Sequence, residues 1–136
     1  MNPMDKEHTE RFKNALRVAG AIMNDGTVRG DFGASLYILT GLPGVYDQVW
    51  RHIHNGWLDF EQMLDLPLSS GERILVALAG NLYNGGFFDG YTPMDIIGCG
   101  DNTTVGLALN AIRMRKQKLR CRDFFGFFAD EFAAAK

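Results

Sequence analysis

The stretch Ser69-Ser70-Gly71-Glu72-Arg73-Ile74-Leu75-Val76-Ala77-Leu78-Ala79-Gly80-Asn81-Leu82-Tyr83-Asn84-Gly85 decides the class of fold. Its opening has the spacing of a capping box, in which a serine hydroxyl accepts from the amide three residues on and the glutamate there returns to the cap amide. Arg73 to Tyr83 is apolar on nearly every side, and such a helix is stable only inside a core or a bilayer. The near-apolar run Ile74 to Leu82 is broken by Gly80 and Asn81 and falls far short of the ~20 residues that span a bilayer. A buried central helix over about residues 70–84 is therefore expected, ended by Asn84-Gly85-Gly86.

Upstream, Phe12, Leu16, Ala19, Ile22 and Met23 recur at steps of three and four, which predicts an amphipathic helix from Asp5 to about Asn24, closed by Asp25-Gly26. Asp31 is placed to cap a second helix carrying Phe32, Leu36 and Leu39, which stops at Gly41-Leu42-Pro43-Gly44. A third, about Val45 to His54, puts Val45, Val49 and Ile53 on one face and ends at Asn55-Gly56; Asp59 then caps a turn over Phe60 to Leu64. Downstream, Thr92-Pro93 opens a turn over Met94 to Ile97. Asp101 or Asn102 caps a helix of about 18 residues with Val105, Ala108, Leu109 and Ile112 inward. Asp123 caps Phe124 to Ala135. No period-2 run exceeds four residues and no βαβ rhythm appears. The expected fold is all-α, an irregular orthogonal bundle of six to eight short helices, since the helices are too short for an up-down four-helix bundle.

With 136 residues the chain matches one domain, 1–136, and 46% hydrophobic against 22% charged residues excludes a disordered or rod-like chain. The formal net charge is −2, so global electrostatics favour neither nucleic acid nor an anionic membrane. The distribution is bipolar. Residues 113–122 hold six bases (Arg113, Arg115, Lys116, Lys118, Arg120, Arg122) and no acid, whereas residues 1–112 hold seven bases and thirteen acids. The two cysteines, Cys99 and Cys121, and a polar start with no apolar leader core point to reduced thiols in a cytoplasmic protein that neither enters nor crosses a membrane.

The residues that carry chemistry do not assemble into a recognisable catalytic set. His52 and His54 lie two apart on an expected helix and diverge, and His8 sits in a polar N-terminal segment, so all three read as surface or helix-end histidines. Cys99 lies between glycines and Cys121 among arginines that lower a thiol pKa, but neither has a neighbouring histidine or resolving cysteine in sequence. There is no glycine-x-serine-x-glycine pentad, and the glycines at 80, 85, 86, 90, 98 and 100 match neither phosphate-binding fingerprint. Asp89, Asp95 and Asp101 do not follow calcium-loop spacing and read as caps and turns. No metal or cofactor is expected. Asn81 and Asn84, in or just after the most apolar helix, need hydrogen-bond partners, which the Phe87 to Tyr91 loop is expected to supply.

Two features read as binding surfaces. In the basic run, charge alternates with Met114, Leu119 and Cys121, so one side stays buried while the cations fan outward. Beyond it, Phe124, Phe125, Phe127, Phe128 and Phe132 place five rings within nine residues, more than one helix face hides, which suits a partner contact or a homo-oligomer.

Four segments, Lys6-Glu7-His8-Thr9-Glu10-Arg11-Phe12, Ala34-Ser35-Leu36-Tyr37-Ile38-Leu39, the Ser69 to Glu72 run leading into Leu78 to Gly85, and Ala111-Ile112-Arg113-Met114-Arg115, together resemble a family of small uncharacterised proteins. That family, a domain of unknown function, is found in Firmicutes and related gut bacteria, often with mobile elements. The resemblance spans about residues 5–116, and Asn81-Leu82-Tyr83-Asn84-Gly85 is its most specific motif. It implies a helical fold and a bacterial or phage setting, and no catalytic residue. The expected function is a non-enzymatic protein-binding regulator or inhibitor, acting on a host protein such as a defence nuclease in the manner of an anti-CRISPR. With a net charge of −2 it is too weakly acidic to imitate DNA. The alternative is a nucleic-acid-binding module using residues 113–122; an enzyme using Cys99 or the acidic loop ranks third.

Overall fold

Asp5 opens the first helix, α1 (Lys6–Ala19), by accepting from the His8 amide at 2.7 Å. Gly20, at φ 67°, closes it in the left-handed conformation that glycine adopts without steric cost. The helix thus ends five residues before the expected Asp25-Gly26 stop. Ile22 leaves the helical stripe and forms a β-bridge with Val28 around a turn in which Asp25 accepts from Thr27. In the computed structural model residues 5–86, 88, 93–99 and 101–116 are described; the expected helix over Phe124 to Ala135 lies outside them.

Among the described residues six further helices follow: α2 (Gly30–Leu39), α3 (Pro43–Val49), α4 (Phe60–Leu64), α5 (Ser70–Asn84), α6 (Pro93–Cys99) and α7 (Asn102–Lys116). The chain is mostly helical and forms an all-α bundle. Pro43 starts α3 rather than ending α2, since at N1 its missing amide hydrogen is no loss. Asp59 caps α4 through the Gln62 amide, and both halves of the Ser69–Glu72 capping box are formed, at 3.2 and 2.8 Å.

A second departure from helix corrects the reading of Val45 to His54. After α3 a single 3-10 turn, Trp50–His52, leads into β1 (Ile53–His54), which pairs antiparallel with β2 (Trp57–Leu58). Asn55-Gly56 is the two-residue loop, with Gly56 at φ 90°. Such a loop between apolar residues is a strong hairpin signal, and the helical period had masked it. Register puts Ile53 and Leu58 together in the core and stacks His54 on Trp57 outside, with ring centroids 4.5 Å apart. The Gly56 amide donates to the Ala19 carbonyl at 2.9 Å, tying the hairpin to the end of α1.

α5 is central, as expected, but it shares that place with α2. Every residue of α2 from Phe32 to Leu39 is buried, whereas α5 keeps Asn81 and Asn84 exposed. α2 packs against α1, α3, α5 and α7. Burying a phenylalanine or leucine side chain is worth roughly 1.5–3 kcal/mol, so Phe32, Leu36, Ile38 and Leu39 make this helix a large contributor to the core. Inside it, Ser35 Oγ donates to the Ala79 carbonyl of α5 at 2.9 Å. At its C-terminal end Gly41 admits Leu107 of α7; a Cβ there would stand 2.7 Å from the leucine methyl.

α7 is rotated from the expected face. Leu107, Ala108, Ala111 and Met114 are buried, while Leu109 and Ile112 are 62% and 47% exposed. Three anchors set this rotation: Leu107 at Gly41, Asn110 donating to the Tyr37 hydroxyl at 3.1 Å, and Arg115 Nε donating to the Leu82 carbonyl at 2.7 Å.

His8 is not a surface histidine. It is buried against the Tyr37 ring, and its Nε2 donates to the Tyr37 carbonyl at 3.0 Å, so Nε2 carries the hydrogen of a neutral ring. Burial lowers its pKa to about 4, the carbonyl bond opposing this only in part. Below pH 6.5 the unfolded chain therefore binds a proton that the folded chain refuses, and stability falls as pH drops toward 4. This one group should cost about 3 kcal/mol over that window. Urea unfolding at pH 7.5 and 4.5 checks it: His8→Gln, which keeps a donor but not the titration, should show a visibly flatter pH profile than wild type, and parallel profiles would contradict a neutral buried ring.

Candidate functional site

The C-terminal third of α7, the first expected binding surface, is divided in use. Arg113 and Lys116 are exposed at the helix end, where cations suit the helix dipole. Arg115 is also exposed, but its guanidinium bonds the Leu82 carbonyl near the end of α5 and lies 3.9 Å from the point where a Cβ on Gly30 would stand. It ties α7 to α5 and passes close to the start of α2. Lys118, Arg120, Arg122, Phe124, Phe125 and Phe128 lie outside the described residues.

Asn81 and Asn84 find partners, though not buried ones. Asn81 Nδ2 donates to the Gly86 carbonyl at 3.1 Å and Asn84 Oδ1 accepts from the Gly86 amide at 2.9 Å. Both close the chain reversal after α5, one residue short of the loop expected to supply the partners. Asp101 is the cap of α7: its Oδ1 accepts from the Thr104 amide at 2.8 Å, and that bond, helped by the Thr104 side chain, lowers its pKa. Asp95 lies in the first turn of α6, and Asp89 is outside the described residues, as are Cys121 and the side chain of Cys99. Among the described residues no three His, Cys, Asp or Glu side chains are placed to hold a metal ion, and no helix is long and apolar enough to cross a membrane.

What the helical reading missed is at the other end of the chain's first half. Between α1 and the α3–hairpin segment runs an open groove of about 230 Å³, walled by Ala15 and Val18 on one side and by Tyr46 and Trp50 on the other, with Ile53 beneath. Val18 and Trp50 are 46% and 49% exposed, although both are large and apolar. Asn14 donates to the Tyr46 hydroxyl at 3.0 Å across it. Arg51, the one charged residue in its lining, holds its guanidinium 5.2 Å from the Trp50 ring. Such stacking fixes the fork of donors while leaving it exposed.

On the other side of the hairpin a second groove, about 250 Å³, is lined by Trp57, Leu58, Asp59, Phe60, Glu61, Asn84 and Phe88. Its lining joins the apolar Trp57, Leu58, Phe60 and Phe88 to the carboxylates of Asp59 and Glu61. Gly80 makes room for Phe88, since a Cβ there would stand 2.7 Å from that ring. Ligand pockets start at roughly 300 Å³ and enclose most of what they hold; both grooves are smaller and open, the size of a seat for one or two side chains. The signal that locates them was present in Trp50-Arg51 and in Asn55-Gly56-Trp57, once the latter is read as a hairpin.

No family model, no curated protein and no solved structure matches the chain.

The division of labour among the bases has a direct check by urea unfolding. Arg115→Ala should destabilise by about 1 kcal/mol through loss of its carbonyl bond. Arg113→Ala, one of the exposed pair, should stay within about 0.5 kcal/mol of wild type.

Proposed function

We propose that the protein is a non-enzymatic protein-binding regulator that docks on its partner through Trp50 and Arg51, with the exposed bases of α7 as an accessory positive surface. The observation that carries this reading is the pairing of a half-exposed tryptophan with a stacked arginine on a groove too small and open for a cofactor. Tryptophan and arginine are the side chains that dominate interface energies, because each combines a large rigid apolar surface with directed donors. A surface of this kind inhibits by covering another protein. The resemblance noted above suggests a mobile-element setting, in which a host defence nuclease is a fitting target. Nucleic-acid binding through residues 113–122 is less well supported, since Arg115 is engaged by the Leu82 carbonyl.

The test compares partners captured from bacterial lysate by the wild type, by Trp50→Ala with Arg51→Glu, and by Arg113→Glu with Lys116→Glu. A partner retained by wild type should be lost with the first variant and weakened with the second. For an identified partner, Trp50→Ala alone should cost about 2 kcal/mol, roughly thirty-fold in Kd. Identical partner sets for all three proteins would remove both surfaces from the account, and binding of duplex DNA that weakens steeply with salt would replace it with the nucleic-acid reading.

A further inference from the structure

The two half-exposed tryptophans are furnished differently. Trp50 has an arginine of its own chain, Arg51, 5.2 Å from its ring. Trp57 has His54 on one face instead, the ring planes 21° apart and the centroids separated by 4.5 Å. Trp57 lines the second groove and His54 does not, so the groove meets the part of the ring that His54 leaves uncovered.

The rest of that lining selects charge. Asp59 and Glu61 enter it, and among the described residues no base does. Asp59 is committed in part, since its Oδ1 accepts from the Gln62 amide at 3.2 Å. Glu61 is exposed, and no described base pairs with it. An open ring beside an exposed carboxylate attracts a cation twice over, through the ring quadrupole and through the charge.

Shape then chooses among cations. Phe60 is 4% exposed and packs on Tyr83 and Phe88, with ring centroids 5.7 and 5.8 Å away, so it has little surface left to offer. A quaternary ammonium is held best by several open rings at once and has no hydrogen to give a carboxylate. A guanidinium is flat, stacks on one ring and presents a fork of donors that a carboxylate accepts in pairs. Its apolar stem suits Leu58 and Phe88, and a groove of about 250 Å³ has room for one such side chain.

We propose that this groove seats an arginine side chain of a partner protein, laid flat on Trp57 with its fork directed to the Glu61 carboxylate. The inference rests on the protein-binding reading for the source of the arginine; the seat itself involves neither Trp50 nor Arg51 and is tested without a partner.

The experiment titrates the full chain with N-acetyl-arginine amide into the millimolar range and follows two sets of NMR signals. These are the two tryptophan indole N–H groups, assigned with Trp57→Phe, and the backbone amides of Asp59 to Glu61. The Trp57 signal and those amides should shift saturably while the Trp50 signal stays in place. The neutral isostere N-acetyl-citrulline amide should bind about ten-fold more weakly. Glu61→Gln, at an exposed position and checked by circular dichroism, should weaken the arginine probe about three- to five-fold. A blocked Gly-Gly-Arg-Gly-Gly peptide should bind at least as well as the single residue. Citrulline binding equal to arginine, or no effect of Glu61→Gln, would overturn the charge-selective seat. Tighter binding of trimethyllysine would overturn the choice of guanidinium. Free arginine binding about ten-fold tighter than the peptide would overturn the protein source in favour of a small molecule, while leaving the Trp50–Arg51 capture test untouched.

Discussion

A helix with no polar face has to be enclosed from every side, and α2 is such a helix. Enclosure creates a second demand, since the last carbonyls of a helix have no partner within it and a buried acceptor left unpaired costs about 1–3 kcal/mol. α1 meets the demand. His8 Nε2 reaches the Tyr37 carbonyl and Arg11 Nε the Thr40 carbonyl at 2.7 Å, while Thr40 turns its own hydroxyl back to Leu36. These bonds require α1 to lie alongside α2 with its start at the end of α2. The chain between Gly20 and Arg29 then has to turn back, which the Ile22–Val28 bridge accomplishes. On the opposite side Ser35 and Gly41 admit α5 and α7. Among the described residues no buried side-chain donor or acceptor is left without a partner.

Much of this was legible where one residue type has one physical use. The capping box at Ser69–Glu72, Asp59 before α4, Asp101 as one of the two caps offered for α7, and the glycine after Asn84 match the structure because capping depends mainly on local chemistry; Asp31, expected to cap α2, lies instead in its first turn, and Arg29 stands at the cap with no side-chain cap bond. α7's inward face was misread because several helix faces are about equally apolar; the choice was made by a notch at Gly41, 66 residues earlier in the chain, that only the folded molecule reveals. His8 was misread for a related reason. Its polar neighbours in sequence describe the exposed side of α1, while the ring points at the end of a helix 29 residues away. The hairpin was a different kind of miss, a local signal at Asn55-Gly56 overridden by a helical spacing that Val45, Val49 and Ile53 satisfy by coincidence.

The same frame explains why the candidate surfaces lie where they do. Once α1, α5 and α7 are committed to α2, the hairpin fills the end of α1 with Ile53 and Leu58, and among the described residues its outer side chains are left half-exposed. Trp57 and, in the 3-10 turn before the hairpin, Trp50 therefore stay in contact with solvent. Their neighbours differ in sign, Arg51 on one side and Asp59 with Glu61 on the other, so two grooves of similar size carry opposite charge. Of the expected surface residues, Arg113 and Lys116 remain exposed and Arg115 serves the fold; Trp50 was passed over because it stood in an expected helix beside the apolar face of Val45, Val49 and Ile53.

Amide hydrogen exchange of the native protein tests the central claim most directly, since it ranks local stability helix by helix. If α2 is the enclosed element on which the other helices are ordered, amides from Gly33 to Thr40 exchange slowest, at the rate of global unfolding, together with the α5 amides around Ala79. Exchange of the α2 amides ahead of those of α1 or α7 would contradict it.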